Sequence, residues 1–264
     1  MISPGNVLPE RSFELNKEDL TQCKLQVQFE DEFKTWYTRQ SPSNSPDRSL
    51  KQRSALVSLC RIINAAFTED IDQLARKEIF MNALSDTLIT EEEIDFYSLS
   101  DHQKAYTRNL ISANKDYTLI MLVWNPEKES KVHDHPGNGC FMKVLRGQLK
   151  ETLYSMNKET EEIKKERVRF LQKGLVSYMH DDIGLHKISN VLKDTTTVSL
   201  HLYTPPIVSC RVWDNPGSHM LFSYQIASMG YFSMYGRRTP EMEGKPGIHS
   251  VLLREIREKV ELLL

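Results

Sequence analysis

Between Thr118 and Tyr203 short runs of β-branched and aromatic residues follow one another, each ended by polar turn residues, and nothing else in the chain constrains its fold as much. The runs are Thr118 to Trp124, Cys140 to Leu145, Gln148 to Ser155, Val168 to Phe170, Leu175 to His180, His186 to Val191 and Thr196 to Tyr203. Such runs predict antiparallel strands, and a sheet with this many strands hides its edges by closing into a barrel. The sequence ahead of them has a different period. Apolar residues recur at helical spacing from Leu50 to Phe67 and from Thr68 to Leu84, and Thr90-Glu91-Glu92-Glu93 has the form of a capping box opening a third, short helix. After Gly247 the helical period returns, with Val251, Leu252, Ile256, Val260 and Leu263 on one side. The expected layout is a helical part over residues 48–100, a barrel over 101–240 and a C-terminal helix over 241–264. Residues 1–47 form a polar, partly disordered extension, in which Ser41-Pro42-Ser43-Asn44-Ser45-Pro46-Asp47 is a linker that cannot bury a core. Leu25, Phe29, Phe33, Trp36 and Tyr37 leave a short docking helix there as an equal alternative.

Composition narrows the function classes. A formal net charge of -2 without a basic run provides no footprint for nucleic acid or an anionic membrane. No apolar stretch reaches the roughly 18 residues needed to cross a bilayer, and Met1-Ile2-Ser3-Pro4-Gly5-Asn6 lacks the basic and apolar regions of a secretory signal. A soluble, cytoplasmic protein is expected. Cys23, Cys60, Cys140 and Cys210 are scattered, with no CxxC, so neither a structural zinc site nor a disulfide framework is indicated.

The chemistry concentrates around His133-Asp134-His135. On a strand, residues i and i+2 face the same way, so both imidazoles aim into one cavity. A third imidazole, best supplied by His186, would complete a facial set that leaves the far side of an ion open to substrate. Spacing alone suits catalytic zinc as well as iron. His102, His180, His219 and His249 have no partners at ligand spacing and are read as non-ligands. In the last run Ser199, His201 and Tyr203 alternate with Val198, Leu200 and Leu202, which places the three polar side chains on one face. A relay follows from that geometry, Ser199 orienting His201 and His201 orienting the Tyr203 hydroxyl. Structural hydrogen bonding is the plainer alternative for each.

Two blocks carry a resemblance. His133 and His135, followed by Pro136-Gly137-Asn138-Gly139-Cys140 and then Gly147, closely match the first motif of the cupin barrels. His186 with Asn190 matches the second, although one residue rather than two separates Gly184 from His186. Cys140 stands where ordinary cupins have a metal-binding Glu. Together with Tyr106-Thr107-Arg108-Asn109 and the segment from Val198 to Pro206, this resembles the animal-type cysteine dioxygenases, from about Arg48 to about Pro240.

The resemblance implies a cupin fold (a double-stranded β-helix or jelly-roll barrel) and a monomeric enzyme of cysteine catabolism and taurine biosynthesis, which oxidises L-cysteine with O2 to cysteine sulfinic acid. It implies mononuclear Fe(II) on His133, His135 and His186, substrate binding by Arg108 and Tyr106, and catalytic roles for Tyr203, His201, Ser199 and Cys140. A self-generated thioether between Cys140 and Tyr203 is implied too, with a bend over Pro136 to Gly139 bringing Cys140 to the right face. Arg108 suits a carboxylate because its guanidinium fork pairs bidentately and stays charged. Three neutral imidazoles leave the ion's charge uncancelled, which favours an anionic substrate. Thr204-Pro205 resembles the family's cis Ser-Pro, Trp124 is placed near the site and Cys210 near its mouth. Gly139 departs from the animal pattern, which has His there, and this bears on the local loop shape. The alternatives are a thiol dioxygenase for 3-mercaptopropionate or cysteamine, and a non-catalytic metal- or ligand-binding cupin.

Overall fold

The computed structural model describes residues 54–135, 137–160, 162–206, 209–213, 222–225 and 230–238. The expectations for residues 1–47 and 241–264 lie outside them, as do His219 and His249.

Among the described residues, helices α1 (Ala55–Thr68), α2 (Gln73–Asp86) and α3 (Glu91–Tyr97) precede the strands. The first two begin about five residues later than their apolar periodicity suggests, because Ser54 and Asp72 cap them by accepting from Val57 N and Ala75 N. Thr90 and Glu93 form the expected capping box on α3. Glu93 also accepts from Ser54 Oγ at 2.6 Å and Leu56 N at 3.1 Å, so one carboxylate ties the starts of α1 and α3 together.

The strands are β1 (Tyr106–Ala113), β2 (Thr118–Trp124), β3 (Val132–His133), β4 (Cys140–Arg146), β5 (Gln148–Met156), β6 (Ile163–Gln172), β7 (Val176–Met179), β8 (Leu185–Asn190), β9 (Thr197–Tyr203), β10 (Ser209–Trp213), β11 (Phe222–Gln225), β12 (Ser233–Met234) and β13 (Arg237–Arg238). They form a seven-stranded sheet, β13-β12-β1-β2-β9-β4-β7, and a six-stranded sheet, β11-β10-β3-β8-β5-β6. One apolar cluster joins them: Leu110, Ile120, Leu122, Met142 and Val144 from the first sheet meet Leu149, Leu171 and Ile188 from the second. Two sheets closed over a shared core make the expected cupin barrel. Helix α2 packs against β4 and β7 of the larger sheet, its Phe80 meeting Phe141 of β4 edge to face at 5.6 Å. Burying one such ring contributes roughly 1.5 to 3 kcal/mol.

Three details differ from the sequence reading. The barrel is not wholly antiparallel, since β12 lies parallel to β1. Strand β6 is much longer than Val168 to Phe170, because an edge strand needs only backbone pairing with β5 and carries exposed Lys164, Lys165, Glu166 and Arg167 on its length. And β3 ends at His133, so His133 and His135 do not share a strand.

Candidate metal centre

His133 at the end of β3 pairs directly across to His186 on β8, which sets their rings 4.8 Å apart. His135 lies two residues beyond the strand, and its backbone N–H is held by Asp181 Oδ1 at 2.7 Å. That hydrogen bond does the aiming that strand parity was expected to do. One ring nitrogen from each of the three lies within 4.8 Å of the others, as a single ion requires.

The rings fit a metal by their chemistry as well as their spacing. His133 Nδ1 lies 2.9 Å from Lys131 O, and since a carbonyl only accepts, that nitrogen carries the proton and leaves Nε2 with its lone pair. His186 Nδ1 likewise donates to Glu151 Oε1 at 2.8 Å. His135 Nδ1 is buried with no hydrogen-bond partner, an arrangement that is costly in a purely structural histidine. Burial, reinforced by the neighbouring His186, pushes His133 down to about 3 and His135 well below the usual imidazole range. Both are therefore neutral donors at neutral pH.

Arg108 and Tyr106 alternate on β1, and Arg108 Nη2 donates to the Tyr106 hydroxyl at 2.9 Å. The Tyr106 ring rests 4.5 Å from that of Trp124. Both line a cavity of about 120 Å³ with His133, His135, His186, His201 and Tyr203, closed by apolar Ile120, Leu122, Ile188 and Val212. Cys210 lines it too. The Arg108 charge reaches the centre, being among the causes that hold His133 and His201 low.

Ser199, His201 and Tyr203 do share a face of β9. Trp124 Nε1 donates to Ser199 Oγ at 2.8 Å, and Ser199 Oγ lies 2.8 Å from His201 Nε2, so the first half of the relay is present. The second half differs. His201 Nδ1 faces Cys140 Sγ at 3.7 Å, while the His201 and Tyr203 rings lie nearly parallel with centroids 6.1 Å apart. A ring stacked beside another does not present its edge nitrogen to the neighbour's hydroxyl, and Tyr203 stands directly across the sheet from Cys140 instead. Burial raises both of those groups well above their ordinary ranges.

Cys140 reaches Tyr203 because β4 and β9 pair them in register. The bend that delivers it has Gly137 at φ 79° and Gly139 at φ 87°. A Cβ at Gly139 would sit 2.3 Å from Met179 O, so this backbone excludes the side chain that the animal pattern carries there. His180 takes part in the same bend, its Nε2 lying 2.8 Å from Gly137 O, and it is not among the three clustered histidines. Thr204-Pro205 is cis.

Glu151 escaped the sequence reading. It is fully buried on β5 and accepts from His186, Arg169 and Ser177. Burial works to raise its carboxyl, yet His186 and Arg169 bring it down to about 2. The signal was there: Leu149, Glu151 and Leu153 share strand parity, and a charge at an inward position needs a partner inside.

Comparison with known proteins places this geometry in context. The family model described as "Cysteine dioxygenase type I" matches residues 45–216. The human protein named "Cysteine dioxygenase type 1" is 35% identical over 193 residues, covering 72% of this chain and 92% of its own. Its namesake from Danio rerio is 40% identical over 141 residues, covering 52% and 68%. Among solved structures, an uncharacterised double-stranded β-helix protein from Klebsiella pneumoniae overlays 46% of this chain and 95% of its own, at 17% identity and a TM-score of 0.35.

Proposed function

The chain belongs to the cysteine dioxygenase type I family, and from that premise we propose that His133, His135 and His186 hold the iron at which it oxidises L-cysteine with O2 to L-cysteine sulfinic acid. The observation that carries the site is the convergence of three imidazole ring nitrogens within 4.8 Å, in a cavity that also holds Arg108. Iron at this site would supply the electrons that activate O2 and the positive charge that favours the substrate thiolate. Both oxygen atoms end on the substrate sulfur, which reaches the sulfinic state.

The side chains around the site do the rest. Arg108 takes the substrate carboxylate with its fork, and the Tyr106 hydroxyl fixes the guanidinium from one side. Trp124 holds Ser199, Ser199 holds His201, and His201 faces Cys140. His201 stays neutral, pushed down to about 3 chiefly by burial. The Tyr203 hydroxyl stays protonated and is available to donate to the substrate or to oxygen as negative charge develops. Ile120, Leu122 and Val212 give the cavity an apolar wall, which strengthens each of these interactions.

The cross-strand register of Cys140 and Tyr203 supports a thioether between them. The bond joins sulfur to a ring carbon with loss of two hydrogens, and O2 is the oxidant. Cys60, Cys140 and Cys210 are buried and form no disulfide, which suits a reducing compartment, and a cytoplasmic monomer with its helical part and barrel in one domain completes the proposal.

Anaerobic reconstitution with Fe(II), followed by oxygen-consumption and sulfinate assays, tests the function. L-cysteine is expected to give equal amounts of O2 consumed and sulfinate formed, and to outperform 3-mercaptopropionate and cysteamine. A higher kcat/KM for either of those thiols would overturn the substrate, and folded protein that binds no iron would overturn the site.

A further inference from the structure

Glu151 is a buried charge that the reaction above does not use. Its side chain is 0% exposed, and its partners are His186 Nδ1 at 2.8 Å, the Arg169 guanidinium, and Ser177 Oγ at 3.3 Å. Glu151 and Arg169 stand opposite each other on β5 and β6. Arg169 also donates to Ser177 Oγ at 2.6 Å, and Ser177 belongs to the other sheet, so the cluster stitches the two layers together behind the histidine.

We propose that Glu151 is the positioning residue of the metal centre: it orients His186, fixes its tautomer and strengthens it as a donor, while Arg169 offsets the part of the Glu151 charge that the ring does not take up. This rests on His186 being a metal ligand. Three neutral imidazoles leave an ion's +2 charge uncancelled, and Cys140 occupies the place where ordinary cupins put a carboxylate on the metal. Here a carboxylate lies one imidazole further out. It cancels part of the charge through the ring without taking a coordination position, so the open face stays free for substrate. An imidazole that donates to a carboxylate is a more basic ligand than one that donates to a neutral group, and removing such an outer partner typically weakens metal binding about 10- to 100-fold.

The opposing reading is that Glu151 only satisfies Arg169 and Ser177 and holds the sheets together. Glu151→Gln separates the two, because the amide keeps the volume and an acceptor oxygen for His186 but loses the charge. Full-length protein would be titrated anaerobically with Co(II), reading affinity by competition and the d–d band energies by absorption, alongside circular dichroism of the metal-free form. Glu151→Gln is expected to bind Co(II) about 10- to 100-fold more weakly, with shifted bands and a native spectrum. Arg169→Gln leaves the carboxylate on the ring and is expected to bind at least as tightly as wild type. Wild-type affinity and bands in Glu151→Gln would overturn the inference, as would equal weakening by both variants. If Glu151→Gln does not fold, Glu151→Asp keeps the charge at a shorter reach; it is expected to shift the bands and weaken binding, and unchanged values would be equally fatal. His186→Ala separates the premise from the inference. Unimpaired Co(II) binding by that variant removes His186 as a ligand, whereas loss of binding there with normal binding in Glu151→Gln removes only the role of Glu151.

Discussion

Replacing Arg108 by Ala probes the substrate rather than the metal. Among the described residues no carboxylate pairs with Arg108, whose side chain is met by the neutral Tyr106 hydroxyl and ring. Its counter-charge is therefore left for the substrate to bring. At about 4 Å, opposite charges near a protein surface attract by about 4 kcal/mol, and losing one partner of a desolvated pair costs roughly 2 to 5 kcal/mol. Arg108 is only half-buried, which places the loss in the lower half of that range. A loss of about 2 to 3 kcal/mol corresponds to a 30- to 150-fold drop in kcat/KM for cysteine. Cysteamine has the same thiol and amine without the carboxylate, so its low activity should change far less. Sulfinate formation would be measured for both thiols on iron-loaded wild type and variant, with iron content checked in each. Arg108→Lys keeps the charge but loses the fork, and should recover part of the loss. Equal losses for the two thiols would show that Arg108 is structural and that carboxylate recognition lies elsewhere.

Other perturbations test different parts of the argument. His186→Ala should abolish both iron retention and turnover, and a normal iron content would remove it from the ligand set. Turnover with cysteine and O2 should build up a second band on a reducing denaturing gel, with the Cys140 and Tyr203 peptides joined and about two hydrogens lighter. Cys140→Ala and Tyr203→Phe should each erase that band, with the greater loss of activity in Tyr203→Phe, and separate peptides after full turnover would refute the cross-link. Lys143 Nζ caps the end of α2 by donating to Leu84 O at 2.7 Å, Thr87 O at 2.8 Å and Ser85 O at 3.0 Å, so Lys143→Met should destabilise the fold by about 2 to 3 kcal/mol. An unchanged melting temperature would contradict that. His133 and His201 each sit at about 3, below their unfolded value of 6.5, so between those limits the unfolded chain binds more protons. Stability of the metal-free protein should hold above pH 6.5 and fall as the pH drops below it; a melting temperature that rises on acidification from pH 7 to 5 would refute the burial of these rings as neutral groups.

Much of this site was legible in one dimension because its residues are neighbours in sequence or alternate along a strand. The Tyr106 and Arg108 pair and the row of Ser199, His201 and Tyr203 are read from spacing, since a strand repeats every two residues, and the pair His133 and His135 is read from its short motif. The capping box at Thr90 and Glu93 was readable for the same reason, its hydrogen bonds closing within four residues. What no local pattern contains is the pairing between strands. Register decides that His133 meets His186 and that Cys140 meets Tyr203, and a shift of one residue would turn each side chain to the other face. Tertiary contacts also decided how His135 is aimed once its strand has ended, through Asp181, 46 residues away. They turned the free nitrogen of His201 toward Cys140 rather than the Tyr203 hydroxyl. Glu151 belongs between the two cases: its inward parity was visible in the sequence, but its partners come from β6, β7 and β8. Buried charges find their compensation across the core, at distances along the chain that periodicity does not reach.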